Sequence, residues 1–220
     1  MKSPSNHCIG QTRIAKQRGV VLFFALIAVV LMSLAAVALI RSVDTSTIIA
    51  GNLAFKQAAT SSADAGIDDA IIQLAAIQTA NVLIDVIKDP AHPFNQTNAG
   101  IGYYSNANDK PGTTGYVNVF ADATWDAINQ GTTPERVDGG GNRIRYIIQR
   151  MCRNANQAIE TAECLFSGAL QDINGMQIPL PQQICEGAGC PSAGQFPQIR
   201  ITARSMGPRN TVSYVQAFVY

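Results

Sequence analysis

The sequence predicts an α+β chain in which a long N-terminal helix, membrane-spanning in its first half and amphipathic in its second, packs on an antiparallel β-sheet. Three observations predict it. Residues 19–40 hold no charge between Arg18 and Arg41. Apolar residues then recur at helical spacing as far as Ile77, and the second half of the chain alternates with period two between turn signals.

The first element is set by length. A membrane-spanning helix needs about 20 apolar residues, whereas a secretory signal core has roughly 7 to 15 followed by a small-residue cleavage site. Val20 to Ile40 reads as a span, and Arg41, Ser42, Val43 and Asp44 run on from it without such a site, so the anchor is retained. Before it, Lys2, Arg13, Lys16 and Arg18 face no acidic residue, which places the N-terminal end in the cytoplasm and everything after Ile40 outside it. Cys8 follows no apolar run and does not read as a lipidation site. Gly19 opens directly onto the span, so a protease at the cytoplasmic face would cut there and leave the span whole.

Beyond the span, Ala59, Ala63, Ile67, Ala70, Ile71, Leu74 and Ile77 form one apolar stripe, with Asp64, Asp68, Asp69 and Gln73 mostly off it. Joined to the span this makes a rod of about 60 residues and roughly 90 Å. Gly51 and Gly66 mark places where it would bend. Pro90 and Pro93 close the helical region after Lys88, because proline removes a backbone donor and biases its predecessor away from helix.

Residues 94–115 read as loop, Tyr116–Phe120 as a weak strand, and Thr124–Ile128 as a short helix or turn. After the turn Asp138-Gly139-Gly140-Gly141-Asn142, Ile144, Tyr146 and Ile148 alternate with Arg143, Arg145 and Ile147. Ile199, Ile201 and Ala203 then alternate with Arg200, Thr202 and Arg204. A Gly-Pro turn in 206–211 returns the chain as a terminal strand, 212–220, antiparallel to its predecessor.

Charge and cysteine content narrow the function. The leader holds four of the 16 basic residues and none of the 15 acidic ones, so the chain from Val20 onward carries a net −3 and has no overall basicity to attract nucleic acid. Nine of the acids fall between Asp44 and Asp126, while eight arginines fall between Arg136 and Arg209. Cys152, Cys164, Cys185 and Cys190 lie on the exported side, enough for two disulfides. Three connectivities are possible, of which local pairing is preferred. The 11- and 4-residue gaps between them miss the short knuckles of zinc sites.

No motif calls for a cofactor or metal, and no enzymatic constellation is present. His92 is the single histidine beyond the leader and reads as an exposed loop residue. Asp68-Asp69 and Asp85/Asp89 read as solvated carboxylates. Gly139–Gly141 lacks the Lys-Ser/Thr of a phosphate loop and precedes a strand.

The junction Lys16-Gln17-Arg18-Gly19 followed by Val20 resembles the processing site of type IV prepilins. Over residues 18–71, Arg41-Ser42, Ala50-Gly51-Asn52 and Ala63-Asp64 are similar to the N-terminal segment of PilX-type minor pilins, where Ala-Glu is usual at the last pair. Phe24 occupies the fifth position after the cut, where most pilins carry a glutamate. The K-type pseudopilin of type II secretion also lacks that glutamate but is considerably longer, and ranks second.

The resemblance implies a pilin-like fold divided into a leader at 1–19, a transmembrane half at 20–42, an amphipathic half at 43–88 and an exported domain at 89–220. It implies that prepilin peptidase cuts after Gly19 and methylates Val20. It also implies a non-enzymatic role in assembling a type IV pilus, within an initiating or tip complex. The implied partners are other minor pilins (PilV, PilW and FimT/FimU types), a PilY-type tip adhesin and the major pilin. The chain would sit in the inner membrane in a single pass and then enter the extracellular fibre. A second expectation, from another class, is a surface module in which Arg143, Arg145, Arg200 and Arg204 bind DNA or a host surface. A membrane-anchored enzyme is the third.

Overall fold

The computed structural model describes residues 19–112, 116–126 and 131–220. The leader residues 1–18, Cys8 among them, and Ile128 lie outside the described residues. Helix α1 runs from Val20 to Ala80 as unbroken α-helix, and the chain divides into two units, Met1–Gly51 and Asn52–Tyr220.

In the first unit every described residue up to Ala50 is exposed, and the helix is long and apolar enough to cross a membrane. Ser33 is the only polar side chain between Val20 and Ile40, and its hydroxyl donates to the Val30 carbonyl at 2.8 Å. That internal bond removes the one side-chain cost of placing this segment in hydrocarbon.

In the second unit burial along α1 begins at Ala59. Small residues at spacings of four, three and four (Ala59, Ala63, Gly66, Ala70) let the helix lie close on the sheet, and Ile67 and Leu74 fill the flanks. Gly66 is a point of closest approach, because a Cβ there would stand 2.9 Å from Ile144 Cγ2 and 3.1 Å from Ala203 Cβ. The helix continues through Gly66 without interruption, and the role visible for this glycine is close packing. Gly51 faces open space. Ile71, expected in the core stripe, is 42% exposed and borders a cavity.

The helix ends at Ala80, eight residues short of the boundary expected at Lys88, because the chain turns before either proline. The Asn81 side-chain amide donates to the Ile77 carbonyl at 2.8 Å while its backbone N–H turns to the Gln78 carbonyl at 3.2 Å, and successive turns follow through residue 92. Asp85 and Asp89 each accept the backbone N–H two residues on, at 2.8 Å, so these carboxylates shape the turns.

The sheet comprises β1 (Tyr103–Tyr104), β2 (Arg136–Val137), β3 (Arg143–Arg150), β6 (Ile199–Met206) and β7 (Val212–Val219). The intervening elements are α2 (Ile159–Ala162) and the small pair β4 (Phe166–Ser167) and β5 (Phe196–Pro197). Strand order is β1-β3-β6-β7, with β2 also on β3. The sheet is mixed where a purely antiparallel one was expected. Tyr103 and Tyr104 pair parallel to Ile148 and Gln149, while β2, β6 and β7 are antiparallel to their neighbours. Two residues inside a loop-like stretch leave no alternation to detect, so β1 had no sequence signal.

On the helix-facing side, Ile148, Ile201 and Ala203 meet Ala63, Ile67, Ala70 and Leu74. The other side is covered as well. Tyr104, Trp125 and Ile147 form a second cluster with Val117 and Val119 packed on it. The expected strand 116–120 is instead irregular cover. Its Val117 N–H bonds to the Asn108 carbonyl and the Asn118 side chain accepts the Phe120 N–H, so no ladder forms. Trp125 ends a 3-10 turn, Asp122–Trp125, and donates its indole N–H to the Val119 carbonyl at 2.9 Å.

Candidate functional site

The junction at which processing is expected falls at the start of α1: Gly19 is a turn residue, and Val20 is the first helical one. Val20 is 58% exposed, and a side chain at Gly19 would meet nothing within 4 Å. Among the described residues, nothing crowds the backbone here. Phe24 lies one turn in, with its ring 6.2 Å from that of Phe23 in an edge-on arrangement. No ionisable side chain occurs from Val20 to Ile40, so nothing in this stretch can neutralise an amine.

The four sheet arginines fall on the face opposite α1. Arg145 stands opposite Arg204, and Arg200 stands opposite Gln149. Each is engaged within the chain. Arg145 lies 3.5 Å from Glu135 and donates to Thr132, and Arg200 bonds Gln149 and the Ala107 carbonyl beside Asp109. Arg204 pairs with Asp122 at 2.6 Å under the Tyr214 ring, and Arg143 is the most exposed, near Met206 and Glu135. Asp69 reaches Arg136 at 2.7 Å. The acidic and basic halves of the sequence thus meet inside one subunit.

Cys152 is bonded to Cys164, and Cys185 to Cys190. The first bridge fixes the exit of β3. The second closes a short loop in the long segment between β4 and β5. This segment is tied back to the 80s turns by Lys88, which donates to the Gln183 carbonyl at 2.9 Å.

His92 is 1% exposed, contrary to the exposed loop residue expected. The Asn95 amide donates to the carbonyls of Val86 and Asp89, folding the proline loop over the ring, and His92 Nδ1 accepts the Phe94 N–H. Burial holds its pKa below the ordinary value, against an opposing pull from Asp89.

Sequence reasoning missed Arg150, which is 2% exposed. Its guanidinium donates to the Ser105 carbonyl, the Asn95 side-chain oxygen and the Gln157 carbonyl. All three acceptors are neutral, and among the described residues no salt bridge includes it. Desolvation lowers its pKa from the usual arginine value. The signal was available: position 150 continues the series 144, 146, 148 and so points to the helix side.

Among protein-family models, curated proteins and solved structures, none matches this chain.

Proposed function

We propose that the chain is a PilX-type minor pilin: a non-enzymatic subunit held in the inner membrane by Val20–Ile40 and then drawn into a type IV pilus. The observation that carries this reading is the junction itself. Gly19 ends a basic, acid-free leader, the helix begins at Val20, and the same helix runs from a membrane-length apolar stretch into a small-residue face packed on a sheet. Prepilin peptidase would act between Gly19 and Val20.

Phe24 supports a position at the start of the fibre. A subunit without the helix carboxylate cannot pair with a neighbour's N-terminal amine, so it suits initiation better than repeated insertion. Its partners would be minor pilins of the PilV, PilW and FimT/FimU types, a PilY-type adhesin and the major pilin. The engagement of Arg145, Arg200 and Arg204 by intramolecular acceptors favours this reading over a DNA-binding module.

Deletion and labelling test it together. Cells lacking the chain should lose most of their fibres, and a labelled exported domain should appear at fibre ends. Normal piliation without it, or uniform labelling along the shaft, contradicts the initiating role.

A further inference from the structure

The second unit contains a cavity of about 700 Å³ between α1, the sheet and the 180–197 segment. Ile71, Leu74 and Ala75 present one helical face to it, Ile199 forms the sheet side, and Ile184 and Phe196 close it from the disulfide-bonded segment. It opens to solvent, which is why Ile71, Ile184 and Phe196 remain 42%, 43% and 58% exposed. Ligand cavities commonly run from about 300 to 1,000 Å³ and are mostly apolar with few polar groups.

Two features define the chemistry of an occupant. The lining is mostly apolar with few polar side chains: the Tyr103 hydroxyl donates to the Phe94 carbonyl, Gln195 Oε1 accepts the Ser192 N–H and the Ser192 hydroxyl donates to Gln177, which leaves Gln78, Tyr220 and the Gln195 amide group at the wall. A peptide would bring a backbone donor and acceptor at every residue, more than these few groups can meet, whereas an alkyl chain brings none. Among the described residues, Arg150 contributes the only charged side chain to the lining, and the groups it donates to, on Ser105, Asn95 and Gln157, are neutral. A buried cation without a counter-charge attracts a carboxylate.

We infer that this cavity binds a long-chain carboxylate, with its alkyl tail against Ile71, Leu74 and Phe196 and its carboxylate drawn toward Arg150. The proposal is independent of the pilin reading.

The test uses the full chain in phosphatidylcholine nanodiscs, with a diazirine-bearing palmitate as probe and adducts mapped by mass spectrometry. Adducts are expected on peptides spanning 71–78 and 180–197, competed by palmitate at least tenfold more effectively than by hexadecanol. Ala75→Trp, at an exposed helix position, should plug the cavity and reduce these adducts at least tenfold while leaving adducts within 20–40 unchanged. Arg150→Met should abolish the preference for palmitate over hexadecanol. Because Arg150 also ties three loops, Ala75→Trp carries the test if that variant does not fold. Adducts confined to 20–40, or unaffected by Ala75→Trp, overturn the site. Equal competition by hexadecanol overturns the carboxylate, and a partner peptide cross-linked there in place of the probe overturns the ligand class.

Discussion

Gly66 on α1 lies so close to Ile144 on β3 that a Cβ at position 66 would come within 2.9 Å of the Ile144 Cγ2 methyl. Real Cβ atoms do not approach that closely, and Ala203 at 3.1 Å blocks the obvious route of relief. Two effects then compete in Gly66→Ala. Helix propensity favours alanine by about 1 kcal/mol, while overpacking a close-packed interface costs about 1 to 3 kcal/mol. The packing term wins, so Gly66→Ala should lower the thermal midpoint of the full chain in detergent, and Gly66→Leu should lower it much further. Gly51→Ala, in open space, should leave it unchanged or raise it slightly.

Asp138 anchors the turn into β3. Its carboxylate accepts from the Ser62 hydroxyl and the Asn142 amide, which hold its pKa down to about 2. A carboxyl whose pKa falls on folding contributes stability that is complete above its unfolded pKa of about 4 and is lost as the pH drops toward 2. Solvent screening around this carboxylate keeps the contribution small. Asp138→Asn should therefore lower stability at pH 7 and flatten its dependence between pH 4 and 2 in denaturant titrations. An unchanged slope would show that Asp138 is not the titrating group.

His92 titrates in a different window, with the same sign. Burial lowers its folded pKa, so stability is full above the unfolded value near 6.5 and declines as pH falls below it. NMR titration of the imidazole should give a midpoint below that of a model histidine. A midpoint at or above 6.5 would contradict the buried, neutral ring that accepts the Phe94 N–H.

Trp125, 2% exposed and the only tryptophan, reports on the cover of the outer sheet face. That cover is held by Arg204, buried beneath the Tyr214 ring and bonded to Asp122, whose side chain is largely in solvent. Screening makes the ion pair itself weak, so the loss in Arg204→Ala should come mainly from the buried stem, at about 0.8 kcal/mol per methylene. The fluorescence of Trp125 should shift to the red, and a smaller shift is expected for Asp122→Asn. No shift in either would separate the arginine from the cover.

The two bridges should differ in effect. In the chain-entropy account, losing the 12-residue closure of Cys152–Cys164 costs about 3 kcal/mol and losing the 5-residue closure of Cys185–Cys190 about 2 kcal/mol. Cys185→Ser with Cys190→Ser should raise amide exchange chiefly in 180–197, while Cys152→Ser with Cys164→Ser should reach the end of β3. The reverse order in stability would contradict this placement.

Strong periodicity made some of this legible in advance. Ala59, Ala63, Ile67, Ala70 and Leu74 repeat over four turns, and alternation runs through 143–148 with one break at Ile147 and through 199–204, so the helix and the two central strands were readable from pattern. What pattern could not supply depends on contacts distant in sequence. The two-residue β1 exists only because β3 offers it an edge, and His92 is buried only because Asn95 closes the loop around it. Arg145 and Arg204 looked available for a surface partner because alternation places arginines on a face without saying what covers that face.

Whether the chain is cut between Gly19 and Val20 decides its class, and mass spectrometry of the N-terminus of the chain purified from its own membrane reads that directly. The native chain should begin at methylated Val20, and Gly19→Val should leave it unprocessed. An intact Met1 in the native chain, or a terminus beyond Ile40, would contradict it.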